Sequence, residues 1–153
     1  MNIEIIAVGK LKESYLVDGI KEYSKRLSAF CNLNIYESKE ITQYDILKNM
    51  TLEGELIMKK IKDDDFVVTL EIEGTPLSSL DFSNFLSQKK TYGISNLTFI
   101  IGGSNGLSQE IKQRSNYHLS FGKITYPHQL MRLILLEQIY RAFMIAANRD
   151  YHK

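Results

Sequence analysis

LTFIIGGSNGLSQEIKQRSNYHLSFGKITYPHQLM, Leu97 to Met131, is the stretch whose reading decides the fold. It opens as an apolar run, Leu97 to Ile101, and breaks into Gly102-Gly103-Ser104-Asn105-Gly106. It resumes near Tyr117 as a second strand-like run that breaks again at Phe121-Gly122. Glycine has no Cβ, so backbone at such a break reaches positive φ and its amides approach a ligand closely. In open α/β sheets the crevice outside the carboxyl ends of the strands is where ligands bind. The stretch therefore reads as two strand ends opening into an active centre.

Working outward, the rest of the chain alternates strand with helix. Asn2 to Val8 is a nearly continuous β-branched run, as expected of a parallel strand covered on both faces, and Gly9 ends it. Ser14 is placed to cap a helix from Tyr15 to about Leu27, with Tyr15, Leu16, Ile20, Tyr23 and Leu27 at helical spacing. Cys31 to Tyr36 alternates as a strand. A polar helix from about Gln43 to Ile61 carries Gly54 inside and takes Ile46, Met50, Ile57 and Ile61 as its buried stripe. Asp63-Asp64-Asp65 reads as a solvated turn, because no further ligand follows at calcium-loop spacing. Phe66 to Ile72 is a core strand ending at Glu73-Gly74, and a helix then runs from Ser78 or Ser79 to near Gly93. After a short helix at about Ser108 to Gln113, the last helix starts at Pro127 and ends near Ala147. It is apolar around most of its circumference, so it must be buried on more than one side, and one of those sides fits a partner subunit related by two-fold symmetry. This alternation predicts a doubly wound, mainly parallel α/β sheet in one domain spanning residues 1 to 153.

Composition narrows the function. The chain has 153 residues, 44% hydrophobic and 24% charged, the profile of one globular domain. Met1 to Val8 lacks the basic and apolar regions of a secretory signal, and charges interrupt the last helix, so the expected location is the cytoplasm, with no membrane span. A lone Cys31 has no Cys or His partners at zinc-site spacing, and no metal is expected. Residues 1 to 106 carry 12 Lys+Arg against 15 Asp+Glu, while 107 to 153 carry 7 against 3, which concentrates basic charge near the proposed centre. The glycine loop matches neither GxGxxG nor GxxxxGK[ST], and Ser104 does not sit in a GxSxG elbow. Those mismatches argue against a dinucleotide dehydrogenase, an NTPase and a serine hydrolase.

Five segments carry a family resemblance: IIGGSNGL (Ile100 to Leu107), LSFGKITYPHQLMRLILLEQIYRAF (Leu119 to Phe143), the terminal Tyr151-His152-Lys153, IIAVGKLKE (Ile5 to Glu13) and VTLEIEG (Val68 to Gly74). Together they resemble the RlmH family, small SPOUT-class methyltransferases that use S-adenosylmethionine to methylate N3 of a pseudouridine in 23S ribosomal RNA. The resemblance covers nearly the whole chain. Departures fall between Glu37 and Gly54, which is a few residues shorter, and at Ala146 to Asp150, which leads into the tail. The implied fold ends in a deep trefoil knot, which periodicity does not reveal. The implied cofactor pocket consists of Leu70, Gly102 and the loop Phe121, Gly122, Lys123, Ile124, Thr125 and Tyr126. Resemblance further implies a homodimer in which one subunit's cofactor faces the partner's tail, acting on 23S rRNA; it leaves open whether that RNA is free or, the favoured case, within an assembled ribosome.

The methyl acceptor is then an imide nitrogen that must lose a proton. His152 is the candidate base, and Tyr151 the candidate for stacking on the target base. His118 reads as structural, and His128 as a residue that orients its loop. Arg141 and Arg132 are each read as a phosphate ligand or as a partner of an acid such as Glu137. The rival reading from another class is a non-catalytic RNA- or ribosome-binding module with the same fold.

Overall fold

The computed structural model describes residues 1–152, so Lys153 of the predicted tail lies outside the described residues. Ten elements follow in strict alternation. They are β1 (Asn2–Val8), α1 (Ser14–Leu27), β2 (Asn32–Ser38), α2 (Ile46–Met58), β3 (Phe66–Pro76), α3 (Ser79–Thr91), β4 (Asn96–Ile101), α4 (Gln109–Arg114), β5 (Tyr117–Ser120) and α5 (His128–Ala146). The strands form one sheet in the order β2-β1-β4-β3-β5, and every pairing is parallel.

Strand residues alternate between two faces, and both faces here are dry. Ile3, Ile5, Ala7, Leu97, Phe99 and Ile101 point into one core with α1, α3 and α5, while Ile6, Val8 and Ile100 point into a second with Ile57 of α2 and Ile111 of α4. The expected doubly wound sheet is thus the observed one. Asp45, Ser78 and Ser108 cap α2, α3 and α4 by accepting the amide protons of Lys48, Asp81 and Ile111.

Local readings differ in α1, α2 and β3. Ser14 is not a cap but the first residue of α1, whose N-cap is Glu13, and Tyr15 is exposed. In α2 the expected stripe holds only toward the C-terminal end: Ile57 is buried and Ile61, just past the helix, packs on the same core, but Ile46 is exposed and Asn49, Glu53 and Gly54 are buried instead. Polar side chains turn inward there because the preceding loop needs them. Asn49 Oδ1 accepts from Tyr44 N and its Nδ2 donates to Tyr44 O, while Glu53 Oε1 accepts from Ile41 N. Gly54 lets α2 press on α4, since a Cβ there would collide with Ser108. Finally, β3 does not end at Ile72. Leu70 and Thr75 both pair with Leu119, so residues 71 to 74 bulge out and the strand resumes to Pro76. Gly74 permits this, because a Cβ would lie 2.8 Å from the His118 carbonyl oxygen.

The chain's last turn of direction positions everything that follows. β5 lies on the sheet edge beside β3, yet α5 packs between α1 and α3 and against β4, so residues 121 to 127 carry the chain back across the strand ends. No residue of α5 from His128 to Ile145 is fully exposed, which fulfils the expectation that this helix is covered on more than one side. Its first turns are fastened by Arg132, 1% exposed, which donates to the carbonyls of Val8 (2.8 Å) and Gly9 (2.6 Å) and to Glu37 Oε1 (2.9 Å). The phosphate reading of Arg132 therefore fails, and its acid is Glu37 rather than Glu137. Burial pulls the guanidinium pKa below its usual value, and Glu37 opposes that pull. Arg132→Met would leave the two carbonyls and Glu37 without their donor, at a cost on the order of 3 kcal/mol. Urea unfolding would read this as a lowered midpoint with an unchanged slope, and an unchanged midpoint would contradict the clamp.

Candidate active site

Three strand ends meet at one cleft of about 730 Å³. β3 contributes Leu70 and the bulge residues Glu71 to Glu73, β4 delivers Ile101 into the glycine loop, and β5 runs through Phe121 into the crossing loop. Of the eight sequence-predicted pocket residues, Leu70, Gly102, Phe121, Gly122, Ile124, Thr125 and Tyr126 line this cleft. Lys123 is exposed and is not part of its wall. His128 and Met131, from the first turn of α5, complete its lining.

The glycine loop is tied to itself. Gly103 and Gly106 form an antiparallel bridge, and a Cβ on Gly102 would lie 2.8 Å from the Gly106 carbonyl carbon. Gly102 is therefore glycine first for the loop's own closure, which in turn presents backbone to the cleft. Gly106 adopts φ +86°, a conformation glycine takes at little cost.

A polar groove of about 590 Å³ adjoins the cleft and shares Glu71, Glu73 and Lys112 with it. At its centre Glu71 Oε1 accepts from Thr69 Oγ1 (2.6 Å) and from His118 Nδ1 (2.7 Å), and Lys112 Nζ lies 3.6 Å from Oε2. Burial raises the Glu71 pKa, but the bonds from Thr69 and His118 and the nearby cations outweigh it and leave the carboxyl below its ordinary value. His118 is thus structural in the sense expected, although no pattern in the sequence pointed to its partner.

The tail residues gather elsewhere. Helix α5 ends in Asn148 at φ 51°, with Arg149 N donating to Met144 O and Asn148 N to Ile145 O. This left-handed closure turns the chain back on the helix. Tyr151 then packs edge-on against Tyr140 (5.0 Å between centroids), donates to Glu137 Oε1 (3.1 Å) and lies 3.3 Å from the Tyr23 hydroxyl. Burial, then the Tyr23 hydrogen bond and the charge of Glu137, push its phenol pKa well up, so Tyr151 stays protonated. Arg141 donates Nε and Nη2 to Glu137 Oε1 at 2.9 and 2.6 Å, and its Nη1 lies 3.2 Å from His152 Nδ1. The acid partner foreseen for Arg141 is the observed one. Tyr23 is the residue of this cluster that sequence reasoning missed, and nothing in the sequence signalled it.

Tail and cleft are apart within one chain. Met131 is at the cleft, and Glu137 and Arg141 lie six and ten residues farther along α5, roughly 9 and 15 Å at helical rise. Among the described residues, the side-chain hydrogen bonds and ring contacts of Tyr151 and His152 go to α1 and α5.

The whole of residues 1–152 matches the family model described as "Predicted SPOUT methyltransferase". The chain belongs to this family. It is 52% identical over 159 aligned positions to the Ribosomal RNA large subunit methyltransferase H of Clostridium tetani, and 54% identical to the protein of that name from Pediococcus pentosaceus. A third, from Carboxydothermus hydrogenoformans, is 52% identical, and each comparison covers all of both chains. Within this SPOUT chain, no helix among the described residues is long and apolar enough to cross a membrane, and no three metal-ligating side chains gather.

The carboxylate at the groove yields a test of the electrostatics. Because the folded pKa of Glu71 lies below its unfolded value, its stabilisation is fully present above the ordinary carboxylate range (~4.3) and is lost as pH falls through the folded value. The stability difference between the wild type and Glu71→Gln should therefore shrink as pH is lowered from about 5. Urea titrations at several pH values measure it, and a difference that does not change with pH would contradict the assignment.

Proposed function

We propose that this protein is a single-domain, S-adenosylmethionine-dependent methyltransferase of large-subunit ribosomal RNA, acting on N3 of a pseudouridine in 23S rRNA, in the cytoplasm, as a homodimer. The observation that carries the reading is the single cleft that joins Leu70, Gly102 and the Phe121 to Tyr126 loop, in a chain half identical to proteins named for that activity. A cleft of about 730 Å³ lies within the size range of small-molecule sites. Leu70, Leu119, Phe121 and Ile124 give it an apolar wall for a purine, and the backbone of the glycine and crossing loops supplies amides and carbonyls for the purine edge. When bound there, S-adenosylmethionine supplies an electrophilic methyl group on a sulfonium. The chain's own part is to hold that group, exclude water from it and bring the acceptor nitrogen into line, since positioning supplies much of the rate of such a displacement. The passage of residues 121 to 127 across the strand ends supports the trefoil knot expected of the class.

Thr125 is exposed on the cleft rim, so Thr125→Trp would fill the cleft without touching the core. Calorimetry should show S-adenosylhomocysteine binding weakened by roughly tenfold or more, about 1.4 kcal/mol, with the thermal transition unchanged. Methyl transfer to ribosomes by the wild type is the companion measurement. Binding of cofactor and RNA without turnover would favour the non-catalytic module.

The separation of tail from cleft supports a site completed in trans, with Tyr151, His152 and Arg141 acting at the partner's cleft. Deleting residues 151 to 153 should leave cofactor binding near normal while methyl transfer falls by ~10²–10⁴. A mixed dimer of one Thr125→Trp subunit with an intact tail and one tail-less subunit with an intact cleft should regain activity at one of its two centres. If each tail serves its own cleft, the only tailed centre is the weakened Thr125→Trp one, and activity appears only at a cofactor concentration roughly tenfold higher.

A further inference from the structure

The contact between Arg141 and His152 decides what the imidazole is able to do. A guanidinium has five N–H donors and no acceptor. At 3.2 Å from Arg141 Nη1, His152 Nδ1 can only accept, which makes it the unprotonated ring nitrogen and places the ring proton on Nε2. A protonated ring would set one N–H against another and break the contact. The tautomer is thus chosen by Arg141, and Arg141 is itself aimed by Glu137, which holds its Nε and Nη2 and leaves Nη1 for His152. Tyr151, donating to the same carboxylate oxygen and backed by Tyr23, completes the support.

We propose that His152 works as a hydrogen-bond donor through Nε2–H rather than as the base, with Arg141 fixing its tautomer and Glu137 as the positioning residue. This rests on the reading of the tail as half of a methyl-transfer site completed across a dimer, and it changes the role given to the histidine there. When an imide N3–H gives its proton to solvent, negative charge spreads onto the flanking carbonyl oxygens. An N–H aimed at one of those oxygens stabilises the anion as oxyanion donors do in acyl transfer. The N3 electron pair then forms the bond to the methyl carbon, and the carbon–sulfur bond breaks with its pair staying on sulfur, which becomes a neutral thioether. No proton has to reach His152 at any point.

Two measurements on the full-length protein test this. Long-range proton–nitrogen correlation spectra of histidine-labelled protein distinguish the two neutral tautomers without any turnover. His152 should be the Nε2–H form in the wild type and should lose that preference in Arg141→Met and Glu137→Leu, while Arg141→Lys, which still donates, recovers part of it. An Nδ1–H ring in the wild type overturns the proposal. Methyl-transfer rates give the second reading: His152→Gln keeps an N–H donor but no basic nitrogen and should stay within ~10-fold of wild type, whereas His152→Ala should fall ~10²–10³-fold. Equal inactivity of Gln and Ala in an active wild-type background overturns the donor role. A wild type that transfers no methyl to ribosomes instead defeats the functional reading, and the tautomer spectrum shows separately whether the Arg141 contact is real.

Discussion

The structure depends on one crossing. After β5 the chain stands at the edge of the sheet, and its longest helix belongs near the middle, so residues 121 to 127 must pass over the ends of the strands between. The far side of that crossing is held by a buried cation. Arg132 sits one turn into α5 and satisfies the carbonyls of Val8 and Gly9, where β1 has run out of sheet partners, and it draws Glu37 in from the end of β2. A buried charge needs partners for its donors, and here both Nη atoms find them, at the buried carbonyls that end β1 and at Glu37, while Nε is left without one among the described residues. Fixing α5 in this way fixes the crossing loop, and the crossing loop is one wall of the cleft.

Much of this was legible in the chain, and the legible parts share a cause. Runs such as Asn2 to Val8 and Leu97 to Ile101 are buried on both faces, so hydrophobicity alone locates them within a residue. The glycine loop was found because a backbone-lined site needs residues without side chains, and the crossing loop because Gly122 and Pro127 punctuate it. What escaped was polar and long-range. α2 buries Asn49 and Glu53 to satisfy a loop that precedes it, so its apolar stripe holds at Ile57 but not at Ile46. The four-residue bulge in β3 depends on Gly74 meeting β5, and the Arg132 clamp depends on carbonyls more than 120 residues away. No local pattern records such partners.

The two histidines that matter show how a partner's charge selects a ring's chemistry. His118 faces Glu71, which is kept ionised and only accepts, so its Nδ1 donates and the ring is held as part of a structural cluster with Thr69 and Lys112. His152 faces Arg141, which only donates, so its Nδ1 accepts. Nδ1 donates at the first place and accepts at the second, and in each the partner decides the role. Sequence shows the histidine in both cases and the deciding partner in neither.

The tail is often the least ordered part of a chain, and here it is built in before any partner arrives. Asn148 in the left-handed region closes α5 and reverses the chain, Tyr151 fills an edge-on contact with Tyr140, and Glu137 gathers Arg141 and Tyr151 on one oxygen. Ordering these side chains inside the monomer removes that entropy loss from the step in which two subunits and an RNA come together. A two-fold interface is self-complementary, so a contact that brings one tail to the partner's cleft brings the other tail to the first cleft as well. In the proposed dimer the roughly 9–15 Å between cleft and tail along α5 is therefore no obstacle, because both helices present the same two half-sites. Composite geometry of this kind asks for precision from a single docking step, and the Glu137 cluster supplies it by leaving the tail's polar groups few alternative partners.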